Sequence, residues 1–139
     1  MKLFLPVLLP FILFFSASAQ PRLPDNYYWK KLDNGLEIVV IENPKVPLAT
    51  IEIAVKNGAY TEGPEYSGLS HLFEHMFFKA NKDYPNQEKF LKRTQELGAI
   101  WNGTTGFERV NYFFTIHKDS LLAGLNFMNA AIRFPIYRT

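Results

Sequence analysis

The residues of this chain whose types and spacing could do chemistry lie in His71-Leu72-Phe73-Glu74-His75. Two of the three histidines sit there, four positions apart, with a glutamate between them. On a helix, positions three and four apart share a face, so the two imidazoles and the carboxylate span an arc of roughly 100°. Borderline-soft Zn²⁺ favours imidazole nitrogen, and a catalytic zinc keeps one position open for water. A carboxylate beside it can take a proton from that water as it attacks a carbonyl. The order H-x-x-E-H is the inverse of H-E-x-x-H.

The alternative is a chance match on a core helix. The surrounding residues argue against it. Leu69, Leu72, Phe73, Met76 and Phe77 gather on the other side of the same helix, the side expected to face a core, which leaves the histidines where packing does not need them. The third histidine, His117, falls on the more polar side of a strand end and reads as a surface residue.

The elements that must position this helix follow from the local patterns. Tyr28 to Leu32 and Leu36 to Glu42 flank Asp33-Asn34-Gly35, a strong hairpin signal. Both sides of the second strand carry apolar residues, so it is expected to be covered on both faces. Leu48 to Lys56 alternates Ala49, Ile51, Ile53 and Val55 with Thr50, Glu52, Ala54 and Lys56, the period of a half-buried strand. A loop over 59–66 then leads to Ser67, a plausible N-cap for the motif helix. A second helix runs from about Asn86 to Leu97, with Gly98 at its C′ position. A short strand near Ile100 precedes a longer one over Arg109–His117, where Val110, Tyr112, Phe114 and Ile116 share a face. A third helix starts at Asp119, carries Leu121, Leu125, Met128 and Ile132 at helical spacing, and stops before Pro135. Strands in runs with helices alongside predict an α+β fold, mainly an antiparallel sheet with helices packed on it, rather than alternating βαβ units. One side of that sheet is expected to be left apolar and uncovered.

The first 19 residues combine Lys2, an apolar run over Leu3–Phe15 and Ala17-Ser18-Ala19. That is the make-up of a cleaved secretory signal, too short and Pro-interrupted for a stable membrane span, so export to a periplasm or the outside is expected. The chain has no cysteine, which removes disulfides, thiolate ligands and lipidation at Cys. With 15 Lys/Arg against 13 Asp/Glu no basic patch is implied, and nucleic acid is not an expected partner.

The chain resembles the N-terminal part of the pitrilysin/insulinase family of zinc metallopeptidases, the inverzincins, which include the mitochondrial processing peptidases. His71 to Lys79, HLFEHMFFK, closely matches the family's active-site helix and is the specific part. Leu32-Asp33-Asn34-Gly35-Leu36 resembles its opening hairpin. Lys56-Asn57-Gly58-Ala59 with Glu62 and Gly68 resembles the glycine-rich approach to that helix. Leu97-Gly98, Asn102-Gly103-Thr104-Thr105, Glu108 and Tyr112 resemble the strand pair beyond it. The flanking matches are individually weak but occur in the right order, and together the segments cover nearly the whole of residues 20–139.

The resemblance implies a zinc-dependent endopeptidase acting on peptides or unfolded polypeptides, with His71 and His75 as zinc ligands and Glu74 as the general base. It implies that Asn102 and Gly103 lie on a sheet edge beside the metal, where substrate is held as an added strand through main-chain hydrogen bonds. Asn102-Gly103-Thr104 also fits a glycosylation sequon, a reading that an edge strand inside a cleft disfavours. The chain departs from the pattern at Gly103, where alanine is usual, and at Val110, where threonine is usual. The family's third zinc ligand, a glutamate, is expected beyond Thr139, because Glu88, Glu96 and Glu108 do not match its position. Residues 20–139 are therefore expected to be an incomplete, N-terminal portion of a peptidase half-domain. A second half-domain, in cis or from a partner subunit, would complete the substrate chamber. The alternative function is a non-catalytic partner subunit or scaffold of the same fold. The intact His71, Glu74 and His75 favour the enzyme.

Overall fold

A computed structural model describes residues 23–137; the signal sequence read over 1–19 lies outside the described residues. Contacts divide the chain into two units, Met1–Asn43 and Pro44–Thr139.

The first unit contains a hairpin of β1 (Tyr27–Lys31) and β2 (Glu37–Ile41), paired antiparallel with Lys31 opposite Glu37 and Tyr28 opposite Val40. The expected turn is where the sequence places it. Gly35 has φ 86°, the left-handed region that favours glycine. The side chain of Asn34 accepts from the Leu36 amide at 3.1 Å, closing the loop locally. Coverage of β2 on both faces is not observed within this unit: all five of its residues are exposed, Ile41 to 65%. The sequence misleads here because two strands alone have nothing to lay over either face.

The second unit is built on an antiparallel sheet of β3 (Leu48–Val55), β4 (Ile100–Thr105) and β5 (Val110–His117), in the order β3-β5-β4. Three helices accompany it: α1 (Leu69–Phe77), α2 (Gln87–Glu96) and α3 (Leu121–Arg133). The fold is α+β with helices alongside an antiparallel sheet, as the order of patterns predicts. The period of two does the sorting. Ile51, Ile53 and Val55, Trp101, and Val110, Tyr112, Phe114 and Ile116 turn to the inner side. There the rings interlock: Phe77 stacks on Tyr112 at 4.1 Å, Phe78 on Trp101 at 4.5 Å, and Phe90 meets Phe127 at 4.7 Å between centroids. Phe77, Phe90 and Phe114 are each at most 1% exposed, and such burial contributes about 1.5–3 kcal/mol per side chain.

The other side of the sheet is mixed rather than apolar. It carries Thr50, Glu52, Asn102, Thr104 and Thr115 beside Leu48, Ala54, Ile100 and Phe113, and Thr50 and Thr115 share a hydrogen bond at 2.9 Å across β3 and β5. The polar residues that mark the exposed phase of each strand outweigh the apolar ones there.

Helix α2 begins and ends as expected. Asn86 caps it through Oδ1, which accepts from the Lys89 amide at 2.9 Å, and Gly98 follows it at φ 59°. In α3 the packed face is not the leucine stripe. Gly124, Phe127, Met128, Ala130 and Ala131 are buried, whereas Leu121 and Leu125 are more than 40% exposed. A Cβ on Gly124 would run into the terminal methyls of Ile116 and Ile51. Gly124 thus lets the helix come close to the sheet beside Phe127 and Met128; of the expected stripe Met128 and Ile132 pack on the core, and the leucines are rotated outward. The short turn Lys118–Ser120 precedes α3, and its first amides lie by His117 rather than under an Asp119 cap: the Asp119 amide donates to His117 Nδ1 at 3.4 Å. His117 is a surface residue, as read from its strand position.

Candidate metal centre and active site

Helix α1 is aimed by its N-terminus. The predicted cap, Ser67, makes no capping contact; the N-cap position belongs to Gly68, at φ 89°. Glu62, from the loop before it, supplies what a cap side chain would. Its Oε2 accepts from the Gly68 amide and its Oε1 from the Ser70 amide, both at 2.6 Å. An acidic group at a helix N-terminus satisfies otherwise orphaned amides and meets the positive end of the helix dipole. The Ser70 side chain and amide, with the Gly68 amide, hold the Glu62 carboxyl below its ordinary range. Asn57, just past β3, donates from Nδ2 to Ser70 Oγ at 3.1 Å, and its Oδ1 also pairs with the Thr61 hydroxyl. The end of β3, the loop and the start of α1 are thereby tied together. Gly58 lets this loop lie against the β4–β5 turn, where a Cβ would strike the backbone of Gly106 and Phe107.

The packed face of α1 is Ser70, Glu74 and Phe77, with Phe73 half-buried. This corrects part of the expected core face, of which Phe77 and Phe73 do pack. Leu69 and Leu72 are more than half exposed, and Met76 is only partly covered. The helix is rotated so that Phe77 stacks on Tyr112 and Glu74 lies against β4. Burial pushes the Tyr112 hydroxyl up to about 12, with the charges of Glu74 and Tyr137 acting in the same direction. The phenol beneath the helix therefore stays neutral.

The three motif residues are brought together. His71 and His75 are exposed, and their Nε2 atoms lie 3.1 Å apart, with ring centroids at 4.7 Å. Two imidazoles that each reach zinc at about 2.0–2.1 Å in a tetrahedral shell place their nitrogens a little over 3 Å apart. The pair as folded therefore fits one shared metal. Glu74 differs from its neighbours. It is 8% exposed, and its Oε2 lies 4.0 Å from His71 Nε2. It accepts from the Thr105 hydroxyl at 3.0 Å through that same oxygen. Its Oε1 lies over Gly103, where a Cβ would approach to 2.8 Å. Among the described residues, no group of three or more His, Cys, Asp or Glu side chains is arranged to hold a metal. The donors here are two imidazoles with a carboxylate set beside them.

Asn102 and Gly103 both lie on β4, but their side positions point to opposite faces. Gly103 faces Glu74, whereas Asn102 is exposed on the other side and accepts from the Gly103 amide at 2.9 Å. What the two share is the strand. β4 is the terminal strand of its sheet, with β5 on one side and no strand on the other among the described residues. Sequence reasoning missed Thr105 and the capping role of Glu62. The period of two in β4 places Thr105 on the face of Trp101 and Gly103, a signal that could have found the first. The second depends on a loop path that no periodicity encodes.

The chain is also similar to known proteins in sequence and in fold. The family model described as Insulinase (Peptidase family M16) matches residues 37–137. A putative zinc protease, mug138, of Schizosaccharomyces pombe is 32% identical over 112 residues, covering 80% of this chain and 12% of that protein. Insulin-degrading enzyme-like 2 of Arabidopsis thaliana is 34% identical over 108 residues (77% and 11%). The human insulin-degrading enzyme is 29% identical over 109 residues (78% and 11%). The chain thus spans about an eighth or less of the length of these relatives. Among solved structures, a protease from Helicobacter pylori shares the fold with a TM-score of 0.75 at 24% identity, over 81% of this chain and 27% of that one. The chain belongs to the insulinase family of peptidases.

Proposed function

We propose that this chain carries the metal-binding helix and base of a zinc-dependent endopeptidase that hydrolyses peptides or unfolded polypeptides. The observation that carries the reading is the convergence of His71 and His75 Nε2 at 3.1 Å with the Glu74 carboxylate held beside them. In it, His71 and His75 hold the metal, and a third ligand, a glutamate, comes from a part of the protein outside the described residues. Bound there, zinc would supply Lewis acidity toward a water and a substrate carbonyl. Glu74 takes the proton from the attacking water and passes it to the leaving amine, as a positioned carboxylate does in general acid–base catalysis. The free edge of β4, at Asn102 and Gly103, binds an extended substrate through main-chain hydrogen bonds, which gives affinity with broad sequence tolerance. A second half-domain, in cis or from a partner subunit, closes the chamber, and the leader over 1–19 supports export.

The test is hydrolysis of a quenched fluorescent peptide by the full-length protein. Cleavage that a chelator stops and added zinc restores is the expected result. Chelator-insensitive cleavage, or none with a zinc-loaded protein, would remove the reading.

A further inference from the structure

We propose that Thr105 is a positioning residue for Glu74, forming with Gly103 a cradle on β4 that fixes the carboxylate beside His71; its role in turnover rests on the reading of Glu74 as the base. Trp101, Gly103 and Thr105 are alternate residues of one strand and face the helices. Each serves α1 differently. Trp101 stacks on Phe78, which anchors the end of the helix. Gly103 has no side chain, so the Glu74 carboxylate comes down onto the strand, with its Oε1, Cγ and Cδ within 2.8–3.0 Å of where a Cβ would be. Thr105 donates its hydroxyl to Oε2 at 3.0 Å.

A largely buried carboxylate needs such a donor, since an unsatisfied one is costly to keep out of water. Threonine is suited to the task because its branched Cβ restricts χ1 and so limits where the hydroxyl can point. With Oε2 occupied on that side, the rotation of the carboxylate is fixed. Among the described residues no other side chain donates a hydrogen bond to it. The held oxygen, Oε2, is also the one that lies 4.0 Å from His71 Nε2, and a carboxylate oxygen that accepts one hydrogen bond keeps capacity for another. A general base must lie within hydrogen-bond reach of the proton it removes, and small misplacements of a reacting group are expensive in rate.

The experiment uses the full-length, zinc-loaded protein and a quenched fluorescent peptide. Thr105→Val keeps the shape and removes the donor. It should lower kcat by about 10–100-fold, the usual effect of losing an outer-shell partner, with KM and zinc content unchanged. Thr105→Ser should restore most of the loss. In a Glu74→Gln background, Thr105→Val should change the residual rate by less than about twofold, because residues that act through one another are not additive. An unimpaired Thr105→Val enzyme, or the same fold loss in both backgrounds, would overturn the proposal. Crystal structures of the variants give a readout that needs no turnover. In Thr105→Val the Glu74 carboxylate should leave its place over Gly103, and a carboxylate that stays there would overturn the proposal as well. If the parent protein shows no hydrolysis the peptidase reading fails instead, and if Glu74→Gln keeps it the base lies elsewhere; in both cases the crystal structures still decide the role of Thr105.

Discussion

His71 and His75 present their Nε2 atoms to one another at 3.1 Å across one turn of α1, on the solvent side of a helix whose opposite side is locked to the sheet by Phe77 on Tyr112. Glu74, between them in sequence, points to the strand instead. One turn of helix thus offers two exposed donors for a metal and one shielded carboxylate for a proton.

Glu74→Gln keeps the shape and size of the side chain but removes the proton acceptor. Peptide hydrolysis should fall by about 10²–10⁴-fold, while zinc content by atomic absorption stays near that of the parent. A Glu74→Gln protein that retains its rate would assign the base to another residue.

Gly103→Ala adds a methyl 2.8 Å from Glu74 Oε1. The near atoms belong to a flexible side chain, so the carboxylate is expected to move by a few tenths of an ångström rather than the strand. Displacement of a reacting group lowers rate steeply; a shift this small should lower kcat by less than about tenfold, with the fold and zinc content intact. A crystal structure of Gly103→Ala with Glu74 unmoved would show that the contact is not tight.

Glu62 ties pH to the aim of α1. The hydrogen bonds from Ser70 and Gly68 lower its carboxyl from an ordinary 4.5. A carboxyl whose folded pKa is depressed stabilises the fold above its unfolded value, and that contribution fades as pH falls through the lower folded value. Thermal unfolding should therefore show the parent losing more of its stability between neutral pH and pH values below 4.5 than Glu62→Gln does. At neutral pH Glu62→Gln should unfold a few degrees lower. Parallel pH profiles for the two proteins would show that Glu62 is not coupled to the helix.

Much of this arrangement was legible in the sequence, because the signals involved are local. The H-x-x-E-H spacing placed His71 and His75 correctly on one face. The alternation in Leu48–Val55 and Val110–His117 placed the inner face of the sheet, and Asn34-Gly35 and Gly98 marked the turn and the helix end. What was not legible depended on which of two apolar faces would win. In α1 Phe73 and Phe77 of the expected stripe pack on the core, but Leu69, Leu72 and Met76 lost to Ser70 and Glu74, because Phe77 finds a ring to stack on and Glu74 a hydroxyl. In α3, Leu121 and Leu125 lost to Gly124, Phe127 and Met128, because the close approach to Ile51 and Ile116 leaves no room for a side chain at Gly124. Hydrophobicity counts the size of a face; it does not register the shape opposite. Glu62 and Thr105 escaped for a related reason, since each acts through a contact across the fold.

The measurement that tests the account most directly is zinc stoichiometry of the full-length protein, by atomic absorption, beside a His71→Phe, His75→Phe double variant. The parent should bind one zinc per site, and the double variant should bind none, because a catalytic zinc needs three protein ligands and the pair supplies two of them. Full retention of zinc by the double variant would place the metal elsewhere and contradict the account.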